Sequence, residues 1–330
     1  MVEVDALLRG AGEVCERELR KWVGSLDGTA AEVAAYQFGW SGSGTRGGGK
    51  FVRAALALAC ARAVGGSDAR AVPAAAAVEM VHNLSLLYDD MLDGDAVRRH
   101  RPAAWRVFGR SAAARSADAL LLTVFDMPGD GGAVAEEAAA ALLDAVVGLA
   151  VGEGLDLVFE GREEVALEEC LEMVSGKTAA LFACACRLGA LYGGAGPVAA
   201  DGWAAFGQDL GMAFQLVDDL LGIWGDPAVT GKPVFNDLRK RKRSVPVVAA
   251  LASGTPAGRE LARRYAAAED ADGAEELARL VEEAGGRRWT AARAARHAAD
   301  ARERAHRLTT VPGARAELDA LCDLIVNRPY

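Results

Sequence analysis

The chain has 330 residues and is acidic, with a formal net charge of -9. Hydrophobic residues make up 52% of it, which is enough for a sizeable core and excludes disorder as the default state. The negative field repels polyanions, so we exclude a general nucleic-acid or anionic-membrane binder. Any phosphate site must therefore be a local basic pocket.

The cysteines and the start of the chain indicate the compartment. The cysteines lack CxxC spacing and lie mostly in apolar stretches, as buried free thiols do. We therefore expect no zinc site. The first 22 residues carry charges throughout, unlike a signal peptide, and no uncharged apolar run reaches the roughly 18 residues of a membrane span. The sequence predicts a cytoplasmic protein without a transmembrane segment.

Helical periodicity recurs along the chain in blocks of about 15 to 25 residues. Alanine and leucine dominate the composition, which favours helix over sheet. Glycine or proline marks breaks at 39–49, 64–73, 127–132, 189–202, 225–236, 253–257, 284–287 and 311–313. No break is a long linker, and no repeat of solenoid length occurs. The pattern predicts one all-α domain over residues 1–330.

The first chemical motif in chain order is the glycine-rich stretch 42–50. Its glycines satisfy GxGxxG, and its last glycine and lysine have P-loop spacing. However, Phe51 stands where a P-loop needs a hydroxyl group, and no β-strand pattern precedes the glycines, so both nucleotide matches are weak. Two interpretations of this stretch therefore remain, a flexible interhelix loop and a phosphate site. Lys50, Arg53 and a helix start would attract a phosphate.

A first aspartate cluster lies in the segment Val78–Pro102, VEMVHNLSLLYDDMLDGDAVRRHRP. At helical spacing, His82, Asp89 and Asp93 share one face, with Asp90 beside them, and the neighbouring positions are apolar. Unit charges about 4 Å apart interact by roughly 4 kcal/mol at an effective dielectric constant near 20. This carboxylate stripe therefore needs a cation nearby.

A second cluster lies in Met212–Asp226, MAFQLVDDLLGIWGD. Gln215, Asp218 and Asp219 follow an apolar helix pattern and lead into a loop that contains Lys232. Magnesium takes oxygen ligands and keeps waters and substrate phosphates, so two such helices suit magnesium around a diphosphate. The alternative is a pair of solvated helix ends with aspartates paired to arginines. Two clusters in one chain favour metal binding.

Basic residues follow both clusters. Arg98 and Arg99 follow the first cluster, and the run 239–243 follows the second. An isolated run would indicate a solvated face or a nucleic-acid patch, but beside aspartates in an acidic chain it favours diphosphate binding. Lys177 and Thr178 form a lone polar pair at the start of an apolar helix. Helix capping or snorkelling would explain that pair equally well.

Together these motifs resemble the trans-isoprenyl diphosphate synthase (polyprenyl synthetase) family over essentially the whole chain. The matching segments are GGGKFVRAAL, DDMLD, SADALL, GKTAAL, FQLVDDLLG, TGKPVFNDLRKRKRS and the terminal NRPY. The resemblance implies the isoprenoid synthase fold, a single helical bundle around a central active-site cavity, usually as a homodimer. It also implies a trans-prenyltransferase that adds isopentenyl diphosphate to dimethylallyl, geranyl or farnesyl diphosphate.

The resemblance further implies roles for individual residues. Magnesium, as three ions with substrate bound, would be held by Asp89, Asp93 and Asp218, with Asp90 and Asp219 in support. Lys177, Lys232 and Arg98 would bind the allylic diphosphate. Lys50, Arg53, His82 and Arg99 would bind isopentenyl diphosphate, and Thr178 and Gln215 would line the path of the carbocation.

The chain departs from the family pattern in ways that affect the expected site. Gly222 stands where a third aspartate is frequent, which puts coordination of the third metal in doubt. Glu153 replaces a frequent glutamine, and Tyr88 a frequent histidine. These two residues would tune the shape or polarity of the cavity.

The residues before Asp89 bear on product length. No aromatic residue occurs at Ala77, Val81, Leu84 or Ser85, where family members commonly carry one to stop at C10 or C15. The sequence therefore predicts a product longer than C15, geranylgeranyl diphosphate (C20).

Two alternatives remain open. A class I terpene cyclase on the same fold needs only one diphosphate site, whereas this chain has a second set of candidate phosphate ligands, which favours condensation. A non-catalytic subunit of a heteromeric synthase gains support from Gly222 but loses it from the intact DDMLD motif.

Overall fold

The computed structural model describes residues 3–41, 49–129, 132–227, 233–267 and 273–326. Most of these residues are helical. Among them, two short strands pair in one antiparallel hairpin. The predicted all-α class is confirmed. In its first half the chain forms α1 (Val4–Gly24), α2 (Gly28–Gln37), α3 (Val52–Ala63), α4 (Asp68–Leu92), β1 (Val97–Arg98), β2 (Arg101–Pro102), α5 (Ala104–Phe108), α6 (Arg110–Val124) and α7 (Ala133–Glu160).

The second half continues with α8 (Leu167–Val174), a π-helical turn (Ser175–Ala179), α9 (Ala180–Gly193), α10 (Pro197–Trp224), α11 (Asn236–Arg239), α12 (Val245–Leu251), α13 (Pro256–Ala266), α14 (Ala274–Glu283), α15 (Gly286–Leu308) and α16 (Pro312–Val326). The predicted break at 64–73 is too long. Helix α4 already begins at Asp68 and includes Pro73.

The chain divides into two compact units, each assembled from three separate segments. The first unit comprises Met1–Val146, Ala183–Ala204 and Ala305–Leu321. The second unit comprises Val147–Phe182, Ala205–Arg304 and Cys322–Tyr330. Because the segments alternate along the sequence, neither unit is a continuous stretch of chain. The assignment of residues 1–330 to one domain stays a prediction.

Small side chains let two helices of the first unit approach closely. Ala57 and Ala61 lie one turn apart on α3, and Gly189 and Gly193 have the same spacing on α9. A Cβ atom at Gly189 would lie 2.0 Å from the carbonyl oxygen of Ala57, and one at Gly193 would lie 2.8 Å from that of Ala61. The two backbones are therefore in direct contact, which glycine alone permits. This contact holds α3, whose first turn carries Arg53.

Apolar clusters of the second unit hold the helices that carry its polar motifs. One cluster joins the end of α7 to α8, α10 and α12, and includes Phe159, Met173, Leu216, Val217 and Val248. The other joins the end of α10 to α11–α14, and includes Ile223, Leu238, Val247, Leu261 and Val281. Both clusters contain residues of α10 within two turns of Asp218, so the position of that helix end is set by apolar packing.

One stretch, Leu167–Gly193, is long and apolar enough to cross a membrane by composition alone. Of its most apolar window, 67% is buried inside the structure. Such burial is expected of a helix that belongs to a protein core, and the stretch includes the π-helical turn with Lys177.

Candidate active site

The end of α4 places the first aspartate cluster against Arg98. The hairpin β1–β2 reverses the chain through Arg99 and His100, both in the left-handed region (φ 51° and 61°). The guanidinium of Arg98 then donates to Asp89 Oδ2 at 2.9 Å and to Asp90 Oδ1 at 2.7 Å. The cation that the carboxylate stripe requires is thus supplied from the next element of the chain.

The aspartates of this cluster differ in exposure. Asp90 is buried, Asp89 is partly buried with 18% of its side chain exposed, and Asp93 is exposed at the helix end. Burial raises the pKa of Asp90, while Arg98 acts to lower it. Asp90 Oδ2 is buried without a hydrogen-bond partner among the described residues. Asp89 and Asp93, spaced one turn apart, are the more accessible pair.

A buried glutamate lies near Arg53 and Arg99, two of the residues predicted to bind isopentenyl diphosphate. Glu79, 3% exposed, accepts the backbone N–H of Ala54 at the start of α3. Burial raises the pKa of Glu79, and the charges of Arg53 and Arg99 oppose that rise. Glu79 was not predicted from the sequence. Its signal was a lone carboxylate within an apolar helix pattern, which usually requires cationic partners.

His82 lies in the same charge environment. Burial and the positive charges of Arg53, Arg99 and Arg98 hold its pKa well below the ordinary value. The ring is therefore neutral at pH 7 and can donate one hydrogen bond. The structure thus brings Arg53, His82 and Arg99 together, and their binding of isopentenyl diphosphate stays a prediction.

Lys50 and Arg99 approach the same stretch of backbone. A Cβ atom at Gly49 would lie 2.9 Å from Nη2 of Arg99, so the guanidinium rests against the residue that precedes Lys50. Lys50 itself is exposed. Arg98, Arg99 and Arg101 also line an open pocket in the first unit. The glycines at 42–48 lie outside the described residues.

The predicted pair Lys177 and Thr178 lies in the π-helical turn that follows α8. Glycines on α7 allow this turn to approach, because a Cβ atom at Gly152 would lie 2.1 Å from the backbone nitrogen of Lys177. In turn, a Cβ atom at Gly176 would lie 2.6 Å from the carbonyl oxygen of Gly148. Single π-helical turns inside helices are frequent at functional sites.

A chain of hydrogen bonds positions the second aspartate pair. Thr178 Oγ1 donates to Gln215 Oε1 at 2.7 Å, and Gln215 Nε2 donates to Asp219 Oδ1 at 2.8 Å. The other oxygen of Asp219 accepts the backbone N–H of Val245 at 2.9 Å. Burial raises the pKa of Asp219 to about 7, although these donors favour the ionised form. Both oxygens of Asp219 are therefore engaged, whereas Asp218 is half-buried beside it.

A small pocket in the second unit is lined by two lysines, Lys177 and Lys242, and by two carboxylates, Asp156 and Asp219. Lys177 Nζ lies 2.7 Å from Asp156 Oδ2 and 2.6 Å from Glu153 Oε2. Lys242 Nζ lies 3.4 Å from the same oxygen of Asp156. Burial would raise the pKa of Asp156, but Lys242 and Lys177 hold it below its ordinary value. The two lysines are thus paired with the carboxylates of Asp156 and Glu153.

Neither Lys242 nor Asp156 was predicted individually from the sequence. Lys242 was hidden within the basic run 239–243, in which nothing local distinguishes one side chain from the next. Asp156 follows Glu153 by three residues on α7, so both project from one helix face, a spacing that the sequence offered. Lys232, which was predicted together with Lys177, lies outside the described residues.

Ser244 also lines the cavity. It precedes α12 in an extended conformation, where a serine usually caps the helix, but its side chain makes no capping bond. Asp219 takes that role by accepting from Val245. Ser244 Oγ, in a residue that is 1% exposed, has no hydrogen-bond partner among the described residues. Its hydroxyl is available to a ligand in the cavity.

The donor set suits magnesium better than a metal held by protein alone. Within the described ranges, no three His, Cys, Asp or Glu side chains are grouped so as to hold a metal ion. Magnesium binds through one or two carboxylates together with waters and substrate phosphates. In the first unit, Asp89 and Asp93, with the unpartnered Oδ2 of Asp90, offer such hard oxygen atoms, and in the second unit Asp218 offers them.

The described structure is that of a helical protein with aspartate pairs beside partly buried cationic side chains. Known proteins of one family match this chain over most of its length. Residues 42–284 match the polyprenyl synthetase family, and the chain belongs to that family. A (2E,6E)-farnesyl diphosphate synthase of Mycobacterium tuberculosis is 41% identical over 96% of this chain and 91% of its own length.

Two further similarities agree with this assignment. A geranylgeranyl diphosphate synthase of Mycobacterium tuberculosis is 45% identical over 85% of this chain and 83% of its own. The crystal structure of a polyprenyl synthetase from Streptomyces coelicolor A3(2) is 42% identical, with a TM-score of 0.93 over 98% of this chain and 100% of that one. The predicted family and the isoprenoid synthase fold are confirmed.

Proposed function

We propose that the chain is a chain-elongating trans-prenyl diphosphate synthase, a transferase that condenses isopentenyl diphosphate with dimethylallyl, geranyl or farnesyl diphosphate. One observation carries this proposal: each unit holds its own set of cationic side chains beside an aspartate-bearing helix. Arg53 and Arg99 surround Glu79 in the first unit. Lys177 and Lys242 line the cavity of the second. Two diphosphate substrates require two such sets.

Lys177 and Lys242 bind the allylic diphosphate in this proposal. Asp156 raises the pKa of Lys242 despite its burial, so this side chain is cationic at neutral pH. As the allylic C–O bond breaks, negative charge develops on the leaving diphosphate, and fixed cations stabilise it. Lys232 and Arg98 stay predicted ligands of the same diphosphate. Arg98 would have to exchange Asp89 and Asp90 for that ligand.

Magnesium, when bound by Asp89, Asp93 and Asp218, supplies Lewis-acid stabilisation of diphosphate oxygens. The fixed position of Asp219 keeps its neighbour Asp218 at the end of α10, because both oxygens of Asp219 are tied to α10 and α12. Three ions with substrate bound stay part of the proposal.

Lys50, Arg53 and Arg99 bind isopentenyl diphosphate, and neutral His82 donates a hydrogen bond to it. The double bond of this substrate attacks the allylic carbocation, whose path Thr178 and Gln215 line. The resulting cation loses a proton to the departing diphosphate. No separate protein base is therefore needed.

The two alternatives are less well supported. A terpene cyclase would need one diphosphate site, whereas the Arg53, His82 and Arg99 group provides cationic and donor side chains in addition to Lys177 and Lys242. A non-catalytic subunit would not need the ordered chain from Thr178 through Gln215 to Asp219.

The proposed product is geranylgeranyl diphosphate. Ala77, Val81, Leu84 and Ser85 precede Asp89 on α4, and all four are buried without an aromatic ring among them. The similar proteins include both a farnesyl and a geranylgeranyl diphosphate synthase, so they do not distinguish the two products. The proposed chain length therefore depends on these four residues of α4.

We also propose a homodimer in the cytoplasm. An apolar face of α7 supports the dimer: Leu143, Val147, Val151 and Val158 are each more than half exposed. Free cysteines that are all buried support a reducing compartment.

The test is incubation of the purified chain with isopentenyl diphosphate and each primer, with and without magnesium, followed by mass measurement of the products. A magnesium-dependent linear C20 diphosphate is expected. Asp218→Asn should abolish most turnover, whereas the exposed control Asp226→Asn should not. A linear C15 end product would overturn the product assignment alone. A cyclic hydrocarbon from one diphosphate would establish a cyclase, and no turnover of any primer would favour the non-catalytic subunit.

A further inference from the structure

The arginines on either side of Lys242 hold that part of the chain in place. Arg241 lies in the left-handed region at φ 51°, a value that a non-glycine residue keeps only where its surroundings hold it. Its guanidinium donates to the carbonyl oxygens of Arg264 and Tyr265 at 2.9 and 3.2 Å. These bonds tie the loop after α11 to the end of α13.

Both arginines also contact one aromatic ring. The guanidinium carbon of Arg241 lies 5.6 Å from the ring centre of Tyr265, and that of Arg243 lies 5.0 Å from it. A cation within about 6 Å of a ring centre is attracted to the electron-rich face. Tyr265 is 6% exposed and packs in one apolar cluster with Leu261 and Val281. The ring is therefore a fixed support for both guanidinium groups.

Arg243 holds the segment against a second part of the chain. Its guanidinium donates to the carbonyl oxygens of Arg162 and Glu163, just after α7, at 3.2 and 3.1 Å. Its own carbonyl oxygen accepts from Sγ of Cys170 on α8 at 3.4 Å. The segment is thus tied to α13 on one side and to the link between α7 and α8 on the other.

Lys242 lies between these two anchored residues and lines the pocket of the second unit. Its Nζ atom is 3.4 Å from Asp156 Oδ2, and Lys177 lines the same pocket. A lysine side chain has several rotatable bonds, and ordering them on binding a ligand costs conformational entropy. A backbone that is held at both neighbours reduces the part of this cost that remains to be met.

We propose that Tyr265 is a positioning residue for Lys242 and acts through the guanidinium groups of Arg241 and Arg243. With both neighbours held against the ring, the ammonium group of Lys242 is directed into the pocket before a diphosphate binds. Tyr265 lies on α13, outside the segments whose motifs match the family. This inference rests on the proposed function, in which Lys242 binds the allylic diphosphate.

The test measures binding of inorganic pyrophosphate with magnesium by titration calorimetry. Tyr265→Met keeps the charge and most of the volume but removes the aromatic face, and should weaken binding about 5-fold. Tyr265→Phe keeps the ring and removes a hydroxyl that has no hydrogen-bond partner among the described residues, so it should bind as the wild type does. Tyr192→Met, at a partly buried tyrosine of the first unit, is the control and should leave binding unchanged.

The same substitution in a Lys242→Ala background separates positioning from a general structural effect. Lys242→Ala alone should weaken binding. Once the ammonium group is absent, Tyr265→Met should change the affinity by less than about 2-fold, because no side chain is left to position. Losses of equal size in both backgrounds, or wild-type affinity in Tyr265→Met, would overturn the inference and leave the proposed function in place.

Unfolding temperatures show whether each variant folds. If Tyr265→Met does not fold, Arg241→Met removes one of the two ring contacts without altering the core. Its cycle with Lys242→Ala then has the same expected result and the same contradicting results. If Lys242→Ala binds pyrophosphate as tightly as the wild type, both the proposed role of Lys242 and this inference are wrong.

Discussion

Glu153 sets the charge of the cavity around Lys177. Its carboxylate lies 2.6 Å from Lys177 Nζ, and Asp156 lies 2.7 Å from the same nitrogen. A diphosphate that binds here must compete with both carboxylates. A glutamine at 153 would leave one more net positive charge for the ligand.

Glu153→Gln should therefore tighten binding of inorganic pyrophosphate with magnesium about 5-fold, equivalent to about 1 kcal/mol. Titration calorimetry measures this constant. Glu164→Gln, at an exposed position, serves as the control and should leave it unchanged. Unchanged or weaker binding by Glu153→Gln would show that Glu153 does not restrain Lys177.

Ser244 is a second single-residue determinant of the same cavity. Ser244→Ala removes the unpartnered hydroxyl without altering the cap that Asp219 provides. We expect pyrophosphate binding to weaken about 5-fold, the effect of one lost hydrogen bond of about 1 kcal/mol. Ser244→Thr keeps the hydroxyl and should retain most of the affinity. Equal binding by the alanine and wild-type chains would contradict this role.

At the scale of elements, the contact between α3 and α9 depends on glycine. Gly189→Ala places a Cβ atom 2.0 Å from the carbonyl oxygen of Ala57, so the helices must separate. We expect a loss of about 1–3 kcal/mol in the free energy of unfolding, measured in urea. Gly313→Ala, where a Cβ atom would meet nothing within 4 Å, is the control. A stability equal to that of the wild type would show that α9 can shift at no cost.

The link between α10 and α15 should depend on pH. Asp209 accepts from Arg304 at 3.0 Å and lies 3.1 Å from His297 Nδ1. Burial would raise the pKa of Asp209, but its bonds to His297 and Arg304 hold it below the ordinary value. A carboxyl with a lowered folded-state pKa stabilises the protein above about pH 4, and this contribution is lost as pH falls through the folded pKa.

Asp209→Asn should therefore cost about 2 kcal/mol of unfolding free energy at pH 7 and progressively less in acid. Urea unfolding at pH 7 and pH 3 measures the difference. The exposed Asp126→Asn is the control at both pH values. An equal cost at pH 7 and pH 3 would show that the ionised form of Asp209 is not what stabilises this link.

At the scale of the whole molecule, the exposed face of α7 should mediate self-association. Leu143, Val147, Val151 and Val158 recur at helical spacing, and burying such a face against a second copy removes apolar surface from water. Val151→Lys should convert the dimer to a monomer in sedimentation experiments. Val198→Lys, at a position that is 88% exposed on another helix, should not. A monomeric wild-type chain would exclude the dimer.

Much of this protein could be predicted from sequence because the informative patterns are local. Helix positions followed from 3.6-residue periodicity and from glycine and proline breaks, and the all-α class is confirmed. Asp89 with Asp93, and Gln215 with Asp219, are one turn apart, so helical geometry alone places each pair on one face. Family membership followed from motifs that are linear in the chain, and residues 42–284 bear it out.

Only the tertiary structure decided which distant side chains meet. Lys242 lies in one pocket with Lys177 and with Asp156, which is 86 residues earlier in the chain. Glu79 lies near Arg53 and Arg99. The carboxylate of Asp237 occupies the space that a side chain at Gly222 would need. Each of these contacts depends on how helices pack, through backbone approach and apolar burial. A single sequence records the residues that can make such contacts, but the energy that selects among them arises only when the packed helices bring them within reach.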